Sequence, residues 1–150
     1  MAQCKTSPEV GGMGHSVKRK EDPRFIRGQG NYVDDIVRPG MVFMDIVRSP
    51  YAHAKIKSIN TEKALAHPGV AAVITGETLK EYNLHMMPTL MSDTQMVLPI
   101  EKVCYQAQEV AAVIATDRYS AADGVELVEV EYEPLPVVVD PHKATDPDAP

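Results

Sequence analysis

Few side chains in this 150-residue sequence have the type and spacing that chemistry needs. Its five histidines, His15, His53, His67, His85 and His142, lie in separate stretches. None forms an H-E-x-x-H pair or an H-x-E with a C-x-x-C, so neither a metal site nor a general-base pair can be read from spacing. His53, between Ala52 and Ala54, is the most constrained, and a hydrogen-bonded structural role is the preferred reading. His67, ahead of Pro68-Gly69, is expected to be exposed. Cys4 and Cys104 are too far apart for a ligand pair and read as free thiols in a reducing compartment. Met86, Met87, Met91 and Met96 could offer soft thioether ligands, but filling of irregular gaps is preferred. Gly28-Gln-Gly30 lacks the third glycine of a dinucleotide loop, since Val33 stands there, and has no strand before it; phosphate binding is rejected. No G-x-S-x-G occurs. Glu129, Glu131 and Glu133 recur about 6.8 Å apart along one strand face. Acid–base work needs two carboxylates in unlike environments, so these read as an acidic stripe facing water or a basic partner. Asp34 and Asp35, on an extended segment, would point to opposite faces. No residue is assigned a catalytic, cofactor-binding or metal role.

The elements that would position these groups centre on residues 110–133. Residues 110–115 form an apolar run long enough for one buried strand. Asp117 can cap a following helix, whose stripe would be Ala121, Ala122, Val125 and Val128. Gly124 within it suggests close packing. From Val128 the period becomes two, with Val128, Val130 and Tyr132 inward and the three glutamates outward. Pro134 and Pro136 end the ladder or place it at an edge.

Upstream, Pro39-Gly40 suits the centre of a type II turn, and residues 31–36 look extended. Residues 41–48 should be a strand with Val42, Met44, Ile46 and Arg48 on one face and Phe43, Asp45 and Val47 on the other. Residues 54–59 should be a second strand, with Ile56 opposite Lys55, Lys57 and Ile59. Asn60 or Thr61 can cap a short helix closed by His67-Pro68-Gly69. Residues 70–74 and 101–106 read as strands, 75–84 as a helical turn or two, and 85–98 as a loop. Residues 137–140 read as a last strand and 141–144 as a helical turn. About six short strands with two or three short helices favour an α+β domain with mixed or antiparallel strands.

Composition sets bounds. The apolar fraction is 44%, the charged fraction 24% and the net charge −6, so general attraction to nucleic acid or anionic membrane is not expected. The domain plan is a flexible tail over 1–17, an extended arm over 18–40, the folded domain over 41–145, and the start of a linker over 146–150. The arm, rich in charge at residues 18–27, is expected to lie against another domain or subunit. The start has no apolar h-region of a secretory signal, and no run reaches the roughly 20 apolar residues of a membrane span.

Four ordered stretches add a resemblance: RKEDPRFIRGQGNYVDDI at 19–36, VRSPYAHAKI at 47–56, AQEVAAVIA at 107–115 and YSAADGVELVEVEYEPLPVVVD at 119–140. Together they resemble the N-terminal part of the molybdenum-containing large subunit of the xanthine dehydrogenase and aldehyde oxidase family. NLHMMPTL at 83–90 and Gln108-Glu109-Val110 are most similar to its carbon monoxide-oxidising branch. The resemblance implies an α/β hammerhead domain. It implies a molybdopterin cytosine dinucleotide cofactor held by later domains, with a copper bridged to molybdenum in that branch. It further implies an FAD subunit and a small subunit with two [2Fe–2S] clusters, in a cytoplasmic dimer of heterotrimers. The family's copper-binding cysteine and active-site glutamate come later in the chain, and neither Cys104 nor any glutamate here matches them. The expected role of this stretch is scaffolding and docking. The alternatives are the same domain of a hydroxylase acting on an aldehyde, purine or N-heterocycle, and a non-catalytic protein-binding module.

Overall fold

The computed structural model describes residues 18–87 and 95–150. The tail expected over 1–17, with Cys4 and His15, falls outside the described residues, as does Met91. The chain divides into two units, Met1–Pro39 and Gly40–Pro150.

In the first unit a single helical turn, α1 (Asp22–Phe25), begins with Asp22 and Pro23 in its first turn. Proline suits that position because its missing N–H would have no partner there. Gly28 ends the turn at φ +69°. Its N–H donates to the Phe25 carbonyl and the Gln29 N–H to the Arg24 carbonyl, both at 3.0 Å, the two bonds of a Schellman closure. Gly30 lies where a Cβ would come 2.9 Å from the Phe25 ring, and that ring stacks on Tyr32 at 5.2 Å. The glycine pair therefore closes a helix and admits an aromatic ring. Residues 31–36 are extended at Tyr32 and Ile36, as the sequence suggests, but not between them. Val33–Asp35 forms a 3-10 turn, because the Asp35 carboxylate accepts the Tyr32 N–H at 2.9 Å and draws the backbone into a turn. The arm over 18–40 is thus interrupted by two helical turns. Gly40, at φ +76°, fits the third position of a type II turn.

The second unit holds β1 (Phe43–Arg48), β2 (Ala54–Asn60), α2 (Glu62–Leu65), β3 (Val70–Thr75), α3 (Gly76–Glu81), β4 (Met86–Met87), β5 (Gln95–Met96), β6 (Lys102–Val103), β7 (Glu109–Ala115), α4 (Arg118–Leu127) and β8 (Glu129–Pro134). The strands make two three-stranded sheets, ordered β1-β7-β3 and β6-β2-β8, and a two-stranded pair β4-β5. Every ladder is antiparallel. This is the α+β arrangement that the short alternating segments imply.

Asp117 caps α4, accepting from the Tyr119 and Ser120 N–H groups at 3.0 and 2.9 Å. The helix buries Ala121 and Gly124, not Ala122, which is exposed. Gly124 takes the inward place because a Cβ there would come 2.7 Å from Val113 and 2.8 Å from Val70. Under α4 and α2 lies a buried cluster of Val47, Ala64, Ala111, Val113 and Val128. A second cluster, Ala54, Val103 and Val110, sits against the other sheet, and half-buried Ile59 and Val130 touch both.

Two irregularities make that joint core. Along β2 the register slips between Ile56 and Ser58, leaving Lys57 as the extra residue. The bulge returns Ile59 to the side of Ile56, correcting the strict alternation expected for residues 54–59. On β7 the pairing passes from Ala111 to Glu109, leaving Val110 as the extra residue opposite β1. Val110 can therefore turn toward the second cluster beside Ala111.

Three further expectations are corrected. Residues 85–98 include the paired strands β4 and β5, not only loop. Of residues 101–106 only Lys102–Val103 pairs, since β2 offers them Ala54 and Lys55 alone. Residues 137–140 form no strand, because the ladder of β8 ends at Pro134 and proline cannot donate to it. The last helical turn is 3-10, at Lys143–Thr145. No helix of the described residues is long and apolar enough to cross a membrane.

Candidate functional site

The densest polar constellation in the second unit lies where β1 ends and β7 begins. Arg48 Nη1 donates to Glu109 Oε1 at 2.5 Å and to the Ala107 carbonyl at 2.9 Å. Ala107 holds φ +65°, a left-handed conformation uncommon outside glycine. Its N–H donates to the Ser49 carbonyl, and the Ser49 N–H donates to the Gln108 carbonyl, each at 2.9 Å. Gln108 is buried, and its Oε1 accepts the Cys104 N–H at 2.6 Å. Ser49, also buried, binds both backbone groups of Tyr51 through its hydroxyl, at 2.9 and 3.0 Å. The turn over residues 104–109 is thus closed on itself by the Gln108 amide and clasped to Arg48 and Ser49 by one ion pair, one guanidinium–carbonyl bond and two backbone bonds.

Electrostatics match that geometry. The Glu109 carboxyl is held below the usual range, first by its own backbone N–H and then by Arg48. Desolvation raises the Tyr105 phenol, and the neighbouring Glu109 adds to this. Burial raises Tyr132 as well; its ring packs against Tyr51 at 5.4 Å. The Tyr132 hydroxyl is buried without a hydrogen-bond partner among the described residues.

Two open clefts flank the clasp. One, of about 470 Å³, is lined by His53, Lys102, Tyr105, Pro136, Val137 and Val139 among others. The second, of about 430 Å³, lies beside Met96, Pro99, Lys102, Tyr105 and Gln108. Cys104, an exposed free thiol, borders both. His53 and Cys104 both line the first cleft, but His53 Nδ1 is held by the Pro136 carbonyl and no hydrogen bond joins the thiol to the ring. Among the described residues no three His, Cys, Asp or Glu side chains come together to hold a metal.

The residues singled out by type fall apart in space or are used structurally. His53 Nδ1 lies 2.7 Å from the Pro136 carbonyl and the Leu135 N–H donates to the His53 carbonyl, tying the chain after β8 to the start of β2. His67 is half-buried, not exposed; Nδ1 accepts the Gly69 N–H at 3.3 Å and Nε2 lies 3.9 Å from Asp123. His85 is half-buried and His142 exposed, in different segments. Met86 pairs with Met96 across β4 and β5, and Met86 and Met87 are exposed. The acidic stripe faces outward, as the period of two requires, and meets cations and a hydroxyl of its own domain. Glu129 pairs with Lys63, Glu133 with Lys57 at 3.4 Å, and Ser58 donates to Glu131 at 3.5 Å. Sequence reasoning missed the clasp. Its signal was the adjacent Gln108-Glu109 at a strand start, with Arg48 at the end of another strand, and only the ladder between β1 and β7 joins them.

Comparison with known proteins places this arrangement. Residues 27–136 match the family described as aldehyde oxidase and xanthine dehydrogenase, a/b hammerhead domain. The carbon monoxide dehydrogenase large chain of Afipia carboxidovorans is 65% identical over 139 residues, covering 93% of this chain and 17% of that one. The corresponding large chain of Hydrogenophaga pseudoflava is 60% identical over 141 residues, covering 94% and 18%. A solved Cu,Mo-CO dehydrogenase in its carbon monoxide reduced state superposes with a TM-score of 0.83 at 65% identity, over 93% of this chain and 18% of that one. Quinoline 2-oxidoreductase from Pseudomonas putida 86 superposes with a TM-score of 0.76 at 35% identity, over 91% and 18%. The chain therefore spans less than a fifth of the length of these relatives.

Proposed function

We propose, from the premise that this chain belongs to the aldehyde oxidase and xanthine dehydrogenase family through its α/β hammerhead domain, that it is the hammerhead portion of the molybdenum-containing large chain of a carbon monoxide dehydrogenase. The observation that carries the reading is 65% identity, over 93% of this chain, to a carbon monoxide dehydrogenase large chain.

The whole enzyme would oxidise carbon monoxide with water to carbon dioxide. A molybdopterin cytosine dinucleotide centre, with copper beside molybdenum, would supply the redox chemistry. Electrons would leave through [2Fe–2S] clusters to FAD in partner subunits, in a cytoplasmic dimer of heterotrimers. The part of the residues described here is structural. No metal-ligating trio gathers among them, and the Gly28–Gly30 segment closes a helix and admits a ring.

The contribution of this stretch is mechanical. Two sheets share one core through Ile59 and Val130, and the clasp at Arg48, Gln108 and Glu109 fixes the turn between β6 and β7. Such a body can hold neighbouring domains in register because its own surfaces are fixed by packing. The arm over 18–40 would lie along one of those neighbours.

The test is dye reduction by the native complex containing the whole large chain. Carbon monoxide should drive it, and the 150-residue stretch alone should neither drive it nor carry molybdenum, copper, iron or flavin. Turnover on aldehydes or purines but not on carbon monoxide would overturn the substrate assignment. Stoichiometric molybdenum in the isolated stretch would overturn the scaffold role.

A further inference from the structure

The sheet β1-β7-β3 has two faces, and the core uses one. Val47, Ala111 and Val113, with half-buried Val70 and Val73, belong to the cluster under α2 and α4. Alternate residues on the same strands point the other way. The ladders set them in two rows, Met44–Ile114–Ala72 and Ile46–Ala112–Ile74. All six are apolar, in a chain whose net charge is −6. Met44 is 63% exposed, and Val42 just before β1 is 52% exposed. Ile46, Ala72, Ile74 and Ile114 are half-buried. Ala112 is buried yet belongs to neither core cluster.

The other sheet shows what a wet face looks like in this same domain. There β8 turns Glu129, Glu131 and Glu133 outward toward Lys63, Ser58 and Lys57. Antiparallel sheets with one solvated face normally show such alternation. By contrast β7 reads as a continuous apolar run, the pattern of a strand covered on both sides.

We propose that this second face of β1-β7-β3 is the packing surface for a later domain of the same polypeptide, the part that follows residue 150 in a whole large chain. This rests on the function proposed above. The occupant is argued from chemistry and length. The two rows carry no charge, the Arg48–Glu109 pair lying at their end, so they give nothing for a charge-steered, transient partner to read. Permanent contacts are the apolar ones, resembling a core cut in half. The matched region is 17% and 18% of the two carbon monoxide dehydrogenase large chains, so most of such a polypeptide lies beyond it.

The experiment is photo-cross-linking of the native complex after photo-methionine has been incorporated in place of methionine. Peptide mapping then follows the adducts formed at position 44. The expected result is that position 44 joins to peptides of the same large chain beyond residue 150. Adducts to residues 40–150 of a second copy, or to another subunit, would overturn the proposal. Loss of the reactive group to water alone, with no peptide adduct, would overturn it too. Failure here is separable from failure of the functional reading. A complex that oxidises carbon monoxide while position 44 reacts only with water refutes the face alone. One that cross-links as expected but is inactive on carbon monoxide refutes the substrate alone.

Discussion

Strands β7 and β8 enter and leave the same helix, α4, yet they meet water in opposite ways. In β7 the run Val110, Ala111, Ala112 and Val113 is buried without a break. In β8 exposed Glu129, Glu131 and Glu133 alternate with half-buried Val130 and Tyr132. The difference lies in the faces: β8 turns one face to water, whereas β7 is apolar on both. The middle strand β7 has β1 on one side and β3 on the other, whereas β8 is an edge whose ladder ends at a proline. The apolar run of β7 limits what the fold tolerates there, and the outward glutamates of β8 carry exposed pairs that water weakens.

The sharpest way to break that contrast is a charge at the centre of β7. Val113→Asp would bury a carboxylate without a partner, a loss expected at about 3–5 kcal/mol. Urea unfolding of the protein checks it, and a midpoint within error of the wild type would contradict the buried register. Next comes Gly124→Val. Its Cβ would meet Val113 and Val70 within 2.8 Å, and overpacking of this kind costs about 1–3 kcal/mol; an unshifted melting temperature would show that α4 can move away.

The clasp should fall between core and edge. Gln108→Leu keeps the bulk but leaves the Cys104 N–H without its acceptor, a cost of about 1–3 kcal/mol. Faster amide exchange at Cys104 would be the local signature, and unchanged exchange would argue against the bond. On the edge, a double-mutant cycle of Lys63→Ala and Glu129→Ala should give a coupling of about 0–1 kcal/mol, because both side chains are more than half exposed. A coupling well above that would mean the ladder is less screened than its exposure implies.

The smallest effect is that of pH. The carboxyls of Glu109 and Asp117 sit below their ordinary values, Asp117 chiefly through the Ser120 hydroxyl. A carboxyl depressed in the folded state stabilises above its unfolded pKa near 4 and loses that contribution as pH falls through the folded value. Stability should therefore decline below about pH 5. At the alkaline end Tyr132, raised by burial, keeps its contribution below its ordinary value of about 10 and loses it as pH rises through the folded value. Replacing Glu109 with Gln should flatten the acid limb; an unaltered limb would mean that other carboxyls dominate it.

Sequence pattern carried the parts whose period was clean. The outward glutamates of β8, the Asp117 cap and the close packing at Gly124 all follow from local spacing and side-chain chemistry. What escaped depends on partners remote in the chain. Lys57 reads as one more alternating residue until β8 pairs with β2 and leaves it over. Val137 and Val139 look like strand residues, but no ladder reaches past Pro134. The clasp joins Arg48 to residues about sixty positions away, a pairing that no local window can contain. The uncovered face of β1-β7-β3 was in plain view as an unbroken apolar run, yet a run alone does not say which side the domain itself fills.

On the proposed function, this stretch works as a rigid part inside a much larger chain. The most direct test is the intact mass of the native polypeptide that carries it, isolated from its source without proteolysis. The expected result is a single chain several times heavier than 16.4 kDa that copurifies with molybdenum. A native polypeptide of 16.4 kDa, folded and free of such a chain, would contradict it and leave a self-standing binding module in its place.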